Sequence, residues 1–226
     1  MMYSLDIRAF SDTHLQHNKL TIPKCDLLIF CGDYSCHREY REKDLIEFNR
    51  WLGTLQASKI VFVAGNHDVI FEQNKERSKE LLTNAIYLEN ELIEFEGVKI
   101  YGTPYGLKED GWAFGKTEEE LKDIYAKIPE CNILVSHYPP YNVLDLKSFG
   151  NSGSKALREK IFEINPRVVF FGHAHNESGF DDLDGMLFIN CSIVGTGNKW
   201  VNRNSIHVIL ERKNPLIFID GRGFSY

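Results

Sequence analysis

The chain has 226 residues, 43% of them hydrophobic and 26% charged, enough for one sizeable core, and it is read as one domain over 1–226. A formal net charge of −6 argues against a protein that binds by neutralising many nucleic-acid phosphates, so stable nucleic-acid binding is not expected and small substrates fit better. No run approaches the roughly 20 apolar residues of a membrane span, and the opening MMYSLDIRAF lacks a cationic stretch followed by an apolar one, so neither a membrane nor a leader is expected.

In chain order, a first strand is expected from Leu5 to Ala9 and a buried one in LLIFC, Leu27 to Cys31. Apolar Leu45, Ile46, Phe48, Trp51, Leu52 and Leu55 recur at helical spacing from Tyr40 to Leu55. KIVFVA, Lys59 to Ala64, is the next buried strand, and Leu92 to Phe95 with Val98 to Tyr101 form a hairpin about Glu96-Gly97. The glycine-punctuated loop from Pro104 to Lys116 is expected to be a mobile surface segment. A helix from Thr117 to Lys127 opens on a capping box of Thr117 with Glu120, and another from Ser154 to Ile164 opens on Ser154. Strands NILVS (Asn132 to Ser136) and RVVFF (Arg167 to Phe171) flank that second helix. Leu187 to Asn190 follows an Asp184-Gly185 turn, and Ile206 to Leu210 and Leu216 to Ile219 close the pattern. Strands alternating with helices and ending in hairpins predict a mixed α/β sandwich. Cys25, Cys31, Cys36, Cys131 and Cys191 are odd in number and scattered, which points to free thiols and a reducing, cytoplasmic compartment.

The chemistry lies where the strands end. The first runs into Asp12-Thr13-His14, LLIFC into Gly32-Asp33, KIVFVA into Gly65-Asn66-His67-Asp68, NILVS into His137, and RVVFF into Gly172-His173-Ala174-His175. Singly, each has an ordinary reading as a turn former or a satisfied histidine. Jointly, five strand ends delivering carboxylate, amide or imidazole are most simply one shared site at the carboxyl edge of a sheet. Imidazoles and carboxylates suit Zn2+, Fe or Mn2+, and the donors outnumber what one ion takes but serve two if a carboxylate bridges; Asp33 is the candidate. Gly32, Gly65 and Gly172, directly before ligands, allow the backbone to curl.

The set Asp12-x-His14, Gly32-Asp33, Gly65-Asn66-His67-Asp68, Ser136-His137 and Gly172-His173-Ala174-His175, in this order, resembles the signature of the calcineurin-like metallophosphoesterase superfamily. The stretches FNRWLGTLQASKIVFVAGNHD and ILVSHYPPYNVLD are similar to its metallophosphoesterase-domain-containing branch, which includes phosphodiesterases. The resemblance implies a four-layer α/β/β/α sandwich of two mixed sheets flanked by helices. It implies two divalent metal ions, Mn2+ foremost with Fe, Zn2+ or Mg2+ as alternatives. One would be held by Asp12, His14, Asp33 and His175, the other by Asp33, Asn66, His137 and His173. His67, oriented by Asp68, would face the leaving oxygen, with Asn66 helping to neutralise the phosphoryl charge. The GDxxDRG segment of the serine/threonine protein phosphatases is replaced by GDYSCHR, and no Arg follows His67 until Arg77, which argues against that activity.

The expected function is hydrolysis of phosphodiester or phosphomonoester bonds in a small, nucleotide-like substrate, by in-line attack of a metal-bridging hydroxide. A nuclease acting on single strands or ends is the enzymatic alternative, and a non-catalytic protein-binding scaffold the non-enzymatic one. His17, His37 and His207 are read as structural or surface groups. His37 and Arg38 are within possible reach of a substrate phosphate, and Tyr105, Trp112 and Tyr141 are candidate stacking partners for a base. Asn198-Lys199-Trp200 and Pro139-Pro140-Tyr141 are candidate pocket walls. The oligomeric state is left open.

Overall fold

The structure, a computed structural model, describes residues 4–147, 150–200, 204–211, 215–219 and 222–225. In chain order its principal elements are β1 (Leu5–Phe10), β2 (Cys25–Phe30), α1 (Glu42–Leu52), β3 (Ala57–Phe62), α2 (Val69–Gln73), α3 (Lys75–Leu81), β4 (Ile86–Tyr87), β5 (Glu91–Phe95) and β6 (Val98–Thr103). They continue with α4 (Glu118–Tyr125), β7 (Ile133–Ser136), α5 (Lys155–Ile164), β8 (Val168–Phe171), β9 (Gly179–Leu183), β10 (Met186–Asn190), β11 (Ile206–Leu210), β12 (Pro215–Ile219) and β13 (Arg222–Ser225). One sheet runs β13-β12-β11-β1-β2-β3-β4, the other β9-β10-β8-β7-β6-β5.

Both sheets are parallel at their centres and antiparallel at one or both flanks: β1, β2, β3 and β4 pair in parallel, as do β6, β7, β8 and β10. Alternation along the strands sorts side chains into separate apolar layers. Ile7, Ala9, Leu27, Ile29, Ile133, Val135, Val168 and Phe170 meet between the sheets. Phe10, Phe30 and Phe62 turn outward onto Leu45, Phe48 and Leu52 of α1 and Phe71 of α2. Leu134, Val169 and Phe171 turn onto Leu121 and Tyr125 of α4 and Leu157 and Ile161 of α5. The order is therefore α/β/β/α, as the resemblance implied. Each fully buried Leu, Ile or Phe contributes roughly 1.5–3 kcal/mol of transfer free energy.

Local signals held where the chemistry was specific. The Thr117 hydroxyl accepts from Glu120 N, Glu120 reaches back to Thr117 N, and the Ser154 side chain accepts from Leu157 N. Glu96-Gly97 (φ 51 and 76) and Asp184-Gly185 (φ 55 and 75) are two-residue turns of the left-handed kind that match sheet twist. The helix expected from Tyr40 is shorter at both ends, beginning after Arg41 and stopping before Gly53. No helix among the described residues is long and apolar enough to cross a membrane.

The segment from Pro104 to Lys116 corrects an expectation. It is pinned: Gly106–Leu107 pairs in parallel with Gly115–Lys116, and Ala113 and Phe114 are buried. Ala113 N donates to Asn66 O (3.2 Å) and Phe114 N to Glu72 Oε1 (2.8 Å). Its apolar residues were legible, but the partners that bury them lie far away in the chain.

At one end the two sheets are stitched together, which brings their carboxyl edges into a single rim. Ser11, just past β1, bridges Ser192, just past β10; Ser11 N donates to Cys191 O (3.0 Å), and Ile193 N donates to Ser11 O (3.2 Å).

Candidate functional site

The loops leaving β1, β2 and β8 turn sharply at the residues that carry functional groups. Asp12 (φ 54), His14 (φ 43), Asp33 (φ 63) and His173 (φ 68) all occupy the left-handed region, conformations that cost of order 1–3 kcal/mol each and cluster at sites. Close approach dictates the glycines. A Cβ at Gly65 would lie 2.2 Å from Asp33 Oδ1, and one at Gly172 would lie 2.4 Å from Asp12 Oδ2. Gly32 adds a positive φ of 96° to the same crowding, with a Cβ 2.7 Å from His137 Nδ1.

All of Asp12, His14, Asp33, Asn66, His137, His173 and His175 converge on this rim, in two overlapping groups. In the first, His175 Nε2 lies 3.2 Å from Asp12 Oδ1 and 3.2 Å from His14 Nε2, and Asp33 Oδ2 is 3.9 Å from His14 Nε2. In the second, Asn66 Oδ1 lies 2.9 Å from both His137 Nε2 and His173 Nδ1, and Asp33 Oδ2 is 3.5 Å from His137 Nε2. Asp33 thus touches both groups. Within 4.8 Å of one another stand ligand atoms of Asp12, His14 and His175, and likewise those of Asp12, Asp33 and His137.

The donor set fits divalent cations because the imidazole tautomers are fixed from behind. His14 Nδ1 faces Ser35 O at 2.9 Å, His137 Nδ1 faces Cys31 O at 2.7 Å, and His173 Nε2 faces Glu109 Oε1 at 3.1 Å. Those oxygens only accept, so each ring proton sits there and the opposite nitrogen presents a lone pair inward. Lone pairs of His137 and His173 then point at the carbonyl oxygen of Asn66, an arrangement of acceptors against an acceptor that a cation resolves. Asp12 is held by Ser192 Oγ (2.8 Å), by Ser11 Oγ and by His173 N (3.1 Å).

The electrostatics agree. Burial pushes the Asp33 carboxyl well above its usual range, and the carboxylates of Asp68 and Asp12 push it further, a like-charge cluster that positive charge would relieve. Burial lowers His14 and His137 to about 4 and His173 to about 3, so all are neutral and ligand-competent at pH 7.

His67 borders the cleft, with Nε2 3.9 Å from Asp33 Oδ2 and its backbone N–H donating to Asp33 Oδ1 at 2.8 Å. Burial first, then the neighbouring His14, brings its imidazole down to about 3. Asp68, expected to orient it, makes no hydrogen bond to its ring. The Asp68 carboxylate is buried and accepts from Gly65 N (2.8 Å), Asp33 N (2.8 Å) and Ser35 N (3.2 Å), tying the second and third ligand loops together. His67 Nδ1 is buried without a hydrogen-bond partner among the described residues. Its ring is held by packing, 4.0 Å from the Trp112 ring and edge-on to His14 at 4.7 Å.

A cleft of about 340 Å³ opens over Asp33, Asn66, His67, His173 and His175, with Glu109, Trp112, Lys147, Asn176 and Gly197 along its sides. Of the expected aromatics only Trp112 reaches it, and its ring already carries the Arg38 guanidinium at 3.9 Å besides His67. Tyr105 hydrogen-bonds Glu89 and Tyr141 lies under Lys155, so neither lines the cleft. Gly197 does, next to the expected wall at Asn198. Glu109 and Lys147, 2.6 Å apart but 38 residues apart in the chain, carry no local signal, since each charge alone reads as solvated. His17 packs against Phe48 and Trp51, His37 sits 3.6 Å from Asp44, and His207 sits 2.9 Å from Asp6, and none of the three lines the cleft. The five cysteines are free, and four are buried.

Comparison with known proteins agrees with this geometry. The profile of the calcineurin-like phosphoesterase family matches residues 6–177. Human metallophosphoesterase domain-containing protein 1 is 29% identical over 85% of this chain and 67% of its own length. A UPF0046 protein of Caenorhabditis elegans is 32% identical over 75% of this chain and 51% of its own length. TT1561 of Thermus thermophilus superposes with a TM-score of 0.59, covering 96% of this chain and 99% of its own at 14% identity, a likeness of fold. The profile match over most of its length shows that this chain belongs to the calcineurin-like phosphoesterase family.

Proposed function

We propose that the chain is a binuclear metal-dependent phosphoesterase acting on small, nucleotide-like phosphodiesters or phosphomonoesters, with Mn2+ as the working ion and the cytoplasm as its compartment. The supporting observation is the pair of donor groups sharing Asp33, with imidazole lone pairs turned inward by Ser35, Cys31 and Glu109. Asp12, His14, Asp33 and His175 would hold one cation and Asp33, Asn66, His137 and His173 the other. Bound there, divalent cations supply Lewis acidity toward a phosphoryl oxygen and a lowered pKa for water.

The residues around them bind, orient and exclude water. His67 stands at the cleft as a neutral imidazole that hydrogen-bonds the phosphoryl or leaving oxygen, and an incoming anion would raise its pKa toward proton donation. Trp112, whose ring carries the Arg38 guanidinium, walls its side. A nuclease calls for a basic groove, whereas this cleft is lined by Lys147 paired to Glu109, which favours a small substrate.

Purified protein with Mn2+ is expected to hydrolyse bis-p-nitrophenyl phosphate or p-nitrophenyl phosphate, and Asp33→Ala to abolish turnover. Undiminished turnover in that variant would remove the proposal.

A further inference from the structure

We propose that Glu109 is the positioning residue for His173, clamped in place by Lys147, so that the strap from Gly106 to Gly115 sets the cation affinity of one pocket and not the other. This rests on the reading of two cation pockets given above.

The pockets are supported differently. His14 and His137 give their ring protons to backbone carbonyls in buried loops, which fold with the sheet. His173 gives its proton to a side chain 64 residues away, the Glu109 carboxylate at 3.1 Å. A charged acceptor makes a stronger hydrogen bond than a carbonyl, fixes the ring's rotation, and raises the basicity of the opposite nitrogen. That nitrogen, Nδ1, is the one facing Asn66 Oδ1 at 2.9 Å.

A free Glu would lose side-chain entropy of up to roughly 1.5–2 kcal/mol on adopting one geometry. Lys147 Nζ, 2.6 Å from the same Oε1, restricts it. The backbone beneath is restricted as well. Trp112 N donates to Glu109 O (3.2 Å), Lys108 N to Lys116 O (2.9 Å) and Gly106 N to Phe114 O (3.2 Å). Asp12 and His14 are held from Ser11, Ser192 and Ser35, all off this strap, and His173 meets Asp12 through its backbone N–H (3.1 Å) and not through the ring that Glu109 holds, so loosening Glu109 leaves the contacts of that group in place. Glu109 and Lys147 side chains are 37% and 29% exposed, and solvent screening places the effect toward the lower end of the roughly 10–100-fold that such partners contribute to metal affinity.

The test is Mn2+ titration calorimetry on the full chain, stripped of metal, with wild type, Glu109→Ala, Glu109→Gln and Lys147→Met, each checked by thermal melting without metal. Wild type is expected to show two binding events. Glu109→Ala should weaken one event about 10-fold or more and leave the other unchanged. Glu109→Gln, whose amide oxygen still accepts from His173, should recover part of the loss, and Lys147→Met should show a smaller one. Two unchanged events in Glu109→Ala, or equal weakening of both, would overturn the inference while leaving the phosphoesterase reading standing. A wild type that binds no Mn2+ would overturn that reading, and this inference with it.

Discussion

Replacing Asp68 with Ala separates a structural carboxylate from a catalytic one. Its carboxylate is buried and receives backbone N–H groups of Gly65, Asp33 and Ser35 at 2.8, 2.8 and 3.2 Å. Truncation leaves these donors without an acceptor, at about 1–3 kcal/mol for each that water cannot reach. The longest bond is the weakest and the neighbouring cleft admits some water, so the expected loss is about 4 kcal/mol. For a chain of this size that lowers the melting temperature by roughly 8–16 °C. Differential scanning calorimetry of the metal-free protein measures it directly. Activity should fall as well, because Asp33 N and Gly65 N lie on the ligand loops. A variant with unchanged melting temperature and abolished turnover would refute the assignment of Asp68 to the scaffold.

Other perturbations have equally definite outcomes. Gly65→Ala places a methyl 2.2 Å from Asp33 Oδ1 and should eliminate hydrolysis while far-ultraviolet circular dichroism stays native. Ser192→Ala removes a buried donor 2.8 Å from Asp12 Oδ2 and should lower unfolding free energy by about 1.5–3 kcal/mol in urea titrations. Trp112→Ala frees the His67 ring and should lower kcat more than it raises KM, measured by steady-state kinetics on a chromogenic diester. Chelation should lower the melting temperature: a cation at a thousand times its Kd stabilises by about 4 kcal/mol, or roughly 8–16 °C here.

Residues that advertise themselves locally were the legible ones. β-branched and aromatic runs ending in Asp, Asn or His marked both the strands and the rim, because an apolar strand has no folding reason to finish in a ligand. Thr117 with Glu120, and Asp184 with Gly185, carry their partners within a few residues. Glu109 and the backbone contacts of Asp68 carry no such local signal. Their meaning depends on His173, Lys147, Ser35 and Gly65, partners that only the tertiary fold supplies. The short helices α2 and α3 were likewise overlooked, since five and seven residues are too few for a periodic signal. In the strap from Pro104 to Lys116, four glycines between 102 and 115 give a local signal of mobility, whereas the burial of Ala113 and Phe114 depends on partners distant in the chain.

The central claim is that Asp33 is shared between two cations. Metal analysis of the purified chain after Mn2+ loading and gel filtration, on wild type and Asp33→Asn together, tests it most directly. The account predicts two ions per wild-type chain and at least one fewer in the variant, with hydrolysis lost. Equal stoichiometry in both proteins, with turnover intact in the variant, would contradict it.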